Sequence, residues 1–146
     1  KNGSKRSLLS EGNGWPIAAV VAGANVHDSM LLQDTLEAVV IDPPNPLKHP
    51  QHLCLDKGYS GAPSDATARV FGYVPHVRQI GHEDLEDQAR KRHPARRWVV
   101  ERGHAWWNGC RSILVRWAKK SSNYLAFIEL DSALLWYRRL KQLSAF

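Results

Sequence analysis

Two carboxylates stand out by position. Asp56 closes the short apolar run His52-Leu53-Cys54-Leu55, and open α/β sheets place ligands just beyond the carboxyl ends of their strands. Glu101 lies in Arg96-Arg97-Trp98-Val99-Val100-Glu101-Arg102. On a helix, Arg97 and Glu101 are i, i+4 neighbours. Glu101, Ala105 and Asn108 then share one face, while Val99, Gly103, Trp106 and Cys110 line a different, apolar one. This places the carboxylate beside packed aromatics rather than on a fully solvated stripe. Catalysis is one use of two such acids. Two ordinary uses stay open beside it: Asp56 as the cap of a turn, and Glu101 as the ion-pair partner of Arg97.

Other reactive side chains read more plainly. His49-x-x-His52-x-Cys54 holds metal-capable residues, but not at the usual zinc spacing. Cys110, on the apolar helical face, reads as packing. The tryptophans are mainly core, with Trp107 or Trp117 able to stack on an unpaired base.

The elements that must hold these residues follow from the pattern. Ser7 to Ser10, the turn Glu11-Gly12-Asn13-Gly14 and the apolar Trp15 to Ala22 predict a β-hairpin with a buried second arm. After the polar break Gly23 to Ser29, Asp28 or Ser29 is placed to cap a helix whose apolar residues are Leu31, Leu32, Thr35, Leu36 and Val39. Four prolines between Ile41 and Pro50 require a surface loop. A short strand 52–56, a glycine-hinged loop 57–61 and a helix 62–71 follow. Tyr73 to Val77 reads as an edge strand, because Pro75 cannot donate to a ladder. Residues 81–95 form a charged, mobile loop. Helices are predicted over 96–111 and 122–143, with Ser121 or Ser122 capping the last. Its apolar side is read as Leu125, Ile128, Leu130, Ala133, Leu134 and Tyr137. The order ββαβαβαα gives one layered α/β domain with a mixed sheet.

Composition bounds the function. The 146 residues make one domain's worth of chain, and 43% hydrophobic content excludes disorder throughout. No apolar run approaches the ~18–20 residues of a membrane span. No secretory leader is visible. Two cysteines, Cys54 and Cys110, make no disulfide framework, which favours a reducing cytosolic compartment. Twenty Lys and Arg against fourteen Asp and Glu leave a net charge of +6. Cations cluster at Arg90 to Arg97, at Arg111, Arg116, Lys119 and Lys120, and at Arg138, Arg139 and Lys141, interleaved with tryptophans. That distribution suits nucleic acid.

Several segments, in order, resemble the catalytic part of bacterial insertion-sequence transposases of the DDE class, in the insertion-sequence-five group. Lys1 to Arg6 looks like the basic start of the family's second strand. Gly23-Ala24-Asn25-Val26-His27-Asp28 is similar to its A-N-x-H-D segment. Leu55-Asp56-Lys57-Gly58-Tyr59 looks like its D-K-G-Y motif. Arg97-Trp98-Val99-Val100-Glu101-Arg102 looks like its R-W-x-V-E-R segment. The resemblance spans nearly the whole chain. It departs at Gly109, where relatives usually carry arginine.

The resemblance implies a ribonuclease-H-like α/β fold with a mixed sheet and flanking helices. It places the family's first aspartate on a central strand upstream of Lys1, so the chain is expected to be N-terminally truncated. A strand pair would then lack its shared partner. It implies that Asp56 and Glu101 are catalytic metal ligands for two Mg²⁺ (or Mn²⁺) ions. Lys57, Arg96, Arg97, Arg102 and Arg111 are implied to contact DNA, with Asn25, His27 and Asp28 in possible support. The implied activity is cutting and joining at insertion-sequence ends, with terminal inverted repeats, target DNA and a second copy of the chain as partners. The implied place is the bacterial cytoplasm, at the nucleoid. The alternative is a non-catalytic DNA-binding or regulatory fragment, inactive without the upstream aspartate.

Overall fold

The computed structural model describes residues 3–77 and 97–145. Strand β1 (Ser4–Ser10) turns back antiparallel onto β2 (Pro16–Gly23). The turn is built by Glu11, whose carboxylate accepts from the backbone N–H of Asn13 at 2.7 Å and of Trp15 at 3.2 Å. Gly14 supplies the positive φ of 94°. The register slips between Leu9 and Ser10, where the partner is Pro16, a residue with no N–H to give the ladder.

Alternation along β1 divides the molecule into two cores. Leu9 faces one, made by Leu32, Leu36, Leu53 and Ala68. Leu8 faces the other, made by Trp107, Ile113, Tyr124 and Ile128. The first core joins α1 (Leu32–Glu37), β3 (Gln51–Leu55) and α2 (Ala62–Val70). The second joins α3 (Arg97–Asn108), the single turn α4 (Arg111–Leu114) and α5 (Ser121–Leu143). Residues 41–50 form an exposed, proline-punctuated loop, as predicted.

β3 pairs with β4 (Tyr73–Val77) in parallel, with α2 as the crossover. Among the described residues the expected single mixed sheet is not present, and there are two sheets of two strands, one antiparallel and one parallel. β1 and β3 share a core through Leu9 and Leu55, but among the described residues no strand pairs with both.

Three local expectations are corrected. The turn Asp28–Leu31 is capped by His27, whose Nδ1 accepts from the Ser29 N–H, and not by Asp28 or Ser29. Lys120, with no side-chain cap bond, precedes α5 instead of a serine cap. On α5, Tyr124 and Ile128 are buried and Leu135 packs on the second core, whereas Leu130, Leu134 and Tyr137 are exposed. The buried stripe runs through Ser132, a polar residue that hydrophobic periodicity passes over. Its hydroxyl is satisfied by donating to the Ile128 carbonyl at 2.7 Å. The charged segment 81–95, and Arg96, lie outside the described residues.

Gly103 shows how closely α3 lies on the hairpin. A Cβ there would sit 2.6 Å from Leu8 Cδ2 and 3.1 Å from the Gly14 carbonyl oxygen. On an open helix, Gly→Ala stabilises by about 1 kcal/mol, but overpacking costs about 1–3 kcal/mol. Gly103→Ala is therefore expected to lower stability, by about 1–2 kcal/mol in urea unfolding. A stabilised variant would show that the helix and hairpin can move apart freely.

Candidate active site and its supports

Asp56 follows β3 directly and is exposed. Its Oδ1 accepts from the Lys57 N–H at 2.8 Å and caps the short turn Lys57–Tyr59. The capping role is thus real, and it uses one carboxylate oxygen. No other hydrogen bond or ion pair reaches the Asp56 carboxylate among the described residues, while its backbone carbonyl accepts from the Tyr59 N–H at 2.9 Å.

That turn is fastened to β1 by a polar network on the face that carries Leu9. Lys5 Nζ lies 2.9 Å from Asp28 Oδ1 and donates to the Val26 carbonyl at 2.7 Å. Asp28 Oδ2 lies 3.7 Å from where a Cβ on Gly58 would be, so Asp28 borders the Asp56 turn. Ser7, two residues after Lys5, accepts from the Thr35 hydroxyl at 2.7 Å. Burial pushes the Tyr59 hydroxyl above the usual phenol range. The Ser7 hydroxyl opposes this, and the Asp28 and Asp56 carboxylates push further upward. Both acids therefore act on the same phenol. Sequence reasoning missed Lys5, Ser7, Thr35 and Tyr59 as supports. Their signal was the period-two spacing of Lys5, Ser7 and Leu9.

Glu101 is exposed on α3, where it was expected beside packed aromatics rather than on a fully solvated stripe. The cause is the pitch of the helix: Val99, Gly103 and Trp107 take the buried stripe, and Glu101 projects away from it. The turn of α3 bearing Glu101 is nevertheless well held. Arg102 lies over the Trp98 ring at 4.6 Å and donates to the Asn13 carbonyl at 3.3 Å. Arg102 is thus committed to Trp98 and the hairpin turn.

Further along α3, Asn108 accepts from Arg6 Nη2 at 2.9 Å, while Arg6 Nη1 is buried without a partner among the described residues. His104 stands edge-on to Trp107 with ring centroids 5.5 Å apart. Burial first, and the Arg6 charge second, push its imidazole below the usual histidine range. The unfolded chain therefore binds a proton that the folded chain resists, so stability rises with pH between the two values. The contribution is full above about pH 6.5 and is lost as pH falls toward the folded pKa. The urea midpoint should drop on acidification from about pH 7 to 5, with a shallower drop in His104→Gln. An unchanged slope in that variant would assign the titration to another group.

The remaining predicted residues are scattered. Asn25, His27 and Arg111 are exposed, Lys57 is half-buried, and His27 serves as the cap described above. Arg96 is outside the described residues, and Arg97 opens α3. Trp107 is fully buried, so it cannot stack on a base, whereas Trp117 is 73% exposed. Cys110 packs on the second core and sits 3.1 Å from the Ser112 hydroxyl, consistent with packing.

No described contact joins Asp56 to Glu101. Their elements dock on opposite faces of β1, and the described residues hold no group of three or more His, Cys, Asp or Glu suited to a metal ion. The donors themselves are of the right kind. Exposed carboxylate oxygens suit hard divalent cations, and Asp56 keeps one oxygen outside its cap bond.

Exposed acids at the end of a strand and on a helix, with a basic C-terminal part, are residue types that a domain acting on nucleic acid uses. Residues 1–136 match the profile of the transposase DDE domain, and the chain belongs to that family, that of bacterial insertion-sequence transposases. It is similar to a Burkholderia cepacia protein named as a transposase for insertion sequence element IS402. The two are 31% identical over 146 residues, covering 96% of this chain and 65% of that protein. The chain thus spans about two thirds of its relative's length. No solved structure matches it. No helix among the described residues is long and apolar enough to cross a membrane.

Proposed function

We propose that this chain is the C-terminal catalytic portion of a DDE transposase that cuts and joins DNA at insertion-sequence ends. The ordered motifs support this, with Asp56 at the end of β3 as the observation that carries it. In the complete protein, a strand from outside this chain, bearing a third carboxylate, lies between β1 and β3. Each of these strands pairs on one side only among the described residues, and Leu9 and Leu55 share a core. The result is a ribonuclease-H-like mixed sheet.

Asp56 and Glu101 then hold divalent metal, Mg²⁺ or Mn²⁺. When bound, two such ions supply nucleophile activation and charge stabilisation for in-line phosphodiester transfer. The chain's own residues do the positioning. Lys5 neutralises Asp28 and ties the Asp56 turn to β1. Tyr59, at the end of that turn, packs on the core of Leu32, Leu36, Leu53 and Ala68 and anchors the turn. Arg102, held by Trp98, fixes the pitch of α3 at Glu101. Lys57, Arg96, Arg97 and Arg111 contact DNA phosphates, and two copies act together on paired ends in the cytoplasm, at the nucleoid.

A second reading, a non-catalytic DNA-binding fragment, is favoured by the lack of a three-ligand cluster in the described residues. Cleavage of the terminal inverted repeat by the complete protein with Mg²⁺ separates the two. Cleavage that requires Asp56 and Glu101 supports the enzyme. Salt-sensitive binding of this chain without cleavage by the complete protein supports the fragment.

A further inference from the structure

We propose that His52 and His76 form a chelating site for a borderline divalent transition ion, of which Zn²⁺ is the working example. The proposal is independent of the transposase reading, which uses neither ring.

The two histidines sit on adjacent parallel strands. In register, Cys54 stands opposite His76 and His52 opposite Val74, so the two rings are diagonal neighbours on one exposed face. They reach toward each other. His52 Nδ1 lies 2.7 Å from His76 Nε2, with ring centroids 5.0 Å apart and planes inclined by 35°. Zinc binds imidazole nitrogen at about 2.0–2.1 Å, so two ligands at a tetrahedral angle stand about 3.4 Å apart, and at a right angle about 2.9 Å. The observed pair thus needs less than about 1 Å of separation, which rotation of exposed side chains supplies.

The ion takes a lone pair from each nitrogen that now shares a proton. The donor ring moves its proton to its other nitrogen, and no net proton is lost. Imidazole suits zinc, copper and nickel, whereas magnesium requires oxygen ligands. The site is therefore chemically distinct from the carboxylates at Asp56 and Glu101. Among the described residues no third side chain completes a cluster of three with this pair. Cys54, exposed on the same face, is the nearest candidate to join.

The consequence is mechanical. A two-stranded sheet is marginal on its own. An ion bridging His52 and His76 locks β3 to β4 at one register, in the strand that leads to Asp56. Bound zinc should accordingly raise the thermal midpoint of the chain.

Zinc chloride titrated into the full chain by calorimetry, with imidazole nitrogen shifts followed by NMR, tests the proposal. One ion should bind at this site, shifting His52 Nδ1 and His76 Nε2. His52→Gln and His76→Gln should each weaken it by about 10-fold or more. His49→Gln and millimolar Mg²⁺ should leave it unchanged. Circular dichroism confirms that both glutamine variants are folded. Should either prove unfolded, the NMR shifts on the unaltered chain decide alone. Equal binding by wild type and both variants, zinc shifts confined to other histidines, or displacement by Mg²⁺ would each overturn the proposal.

Discussion

Asp56→Asn, made in the complete transposase, should lower Mg²⁺-dependent cleavage of the terminal inverted repeat by at least about 10³-fold, and Glu101→Ala should do the same. The choice of asparagine separates the two uses of Asp56. Its amide oxygen still accepts from the Lys57 N–H, so the cap at 2.8 Å survives. What is lost is the anionic charge and the second oxygen's affinity for a cation. An alanine at 56 would confound this, because losing a cap alone costs about 0.5–2 kcal/mol. Glu101 offers the cleaner case. It is exposed on α3 and has no bonded partner among the described residues, so Glu101→Ala should shift stability by no more than about 0.5 kcal/mol. A large loss of activity with unchanged folding then belongs to the chemistry. Because residues of one site act as a unit, the double variant should be scarcely worse than either single. Asp28→Asn, which breaks the Lys5 pair but leaves Asp56 intact, should cost less, about 10–100-fold. Near-normal cleavage by Asp56→Asn would reduce Asp56 to a cap and remove the metal assignment with it.

What was legible in the sequence was whatever local rules determine. The hairpin was readable because Glu11-Gly12-Asn13-Gly14 separates two strand-like runs, and Gly14 does take the positive φ. Asp56 was readable as the acid that follows a short strand, and α3 as the helix carrying Glu101. Pairings set by tertiary structure were not readable. Lys5 looked like one more cation in a basic segment, yet its position on β1 delivers it to Asp28, 23 residues away. His52 was grouped with His49 and Cys54 by sequence distance, while its actual partner, His76, arrives through a parallel crossover. The exposed edge of α5 was misread for a related reason. Leu130, Leu134 and Tyr137 are as apolar as a core requires, but Trp136 anchors the helix by donating to the Pro16 carbonyl at 2.6 Å, which fixes the face turned to the hairpin. The single mixed sheet was expected from element order and from the resemblance. Order does not establish that β1 and β3 touch through a common strand.

Trp107→Ala should destabilise the chain by about 3–5 kcal/mol, the largest stability effect of any single truncation in the second core. Trp107 is fully buried, and it joins α3 to α5 in two ways. Its ring fills the space among Ile113, Tyr124 and Ile128, and its Nε1–H donates to the Ser132 hydroxyl at 3.0 Å. Truncation leaves a cavity that neither helix can close easily. Ser132 already donates to the Ile128 carbonyl, so it would lose only the incoming bond. Most of the cost is therefore lost packing, and Trp107→Phe should recover a large part of it. Against a typical domain stability of about 5–15 kcal/mol, the alanine variant would be partly unfolded or nearly so. Trp117 is the internal control. It is 73% exposed, and Trp117→Ala should move the urea midpoint by no more than the equivalent of about 0.5 kcal/mol. The contrast also bears on DNA. A buried Trp107 can act on the nucleic acid only through the position of α3, so a partly folded Trp107→Phe should keep its salt dependence of binding. Trp117→Ala should lose affinity without losing stability if its ring stacks on a base. Equal stability of the two alanine variants would mean that α3 and α5 are not held together at Trp107, and the support for Glu101 would have to come from the hairpin alone.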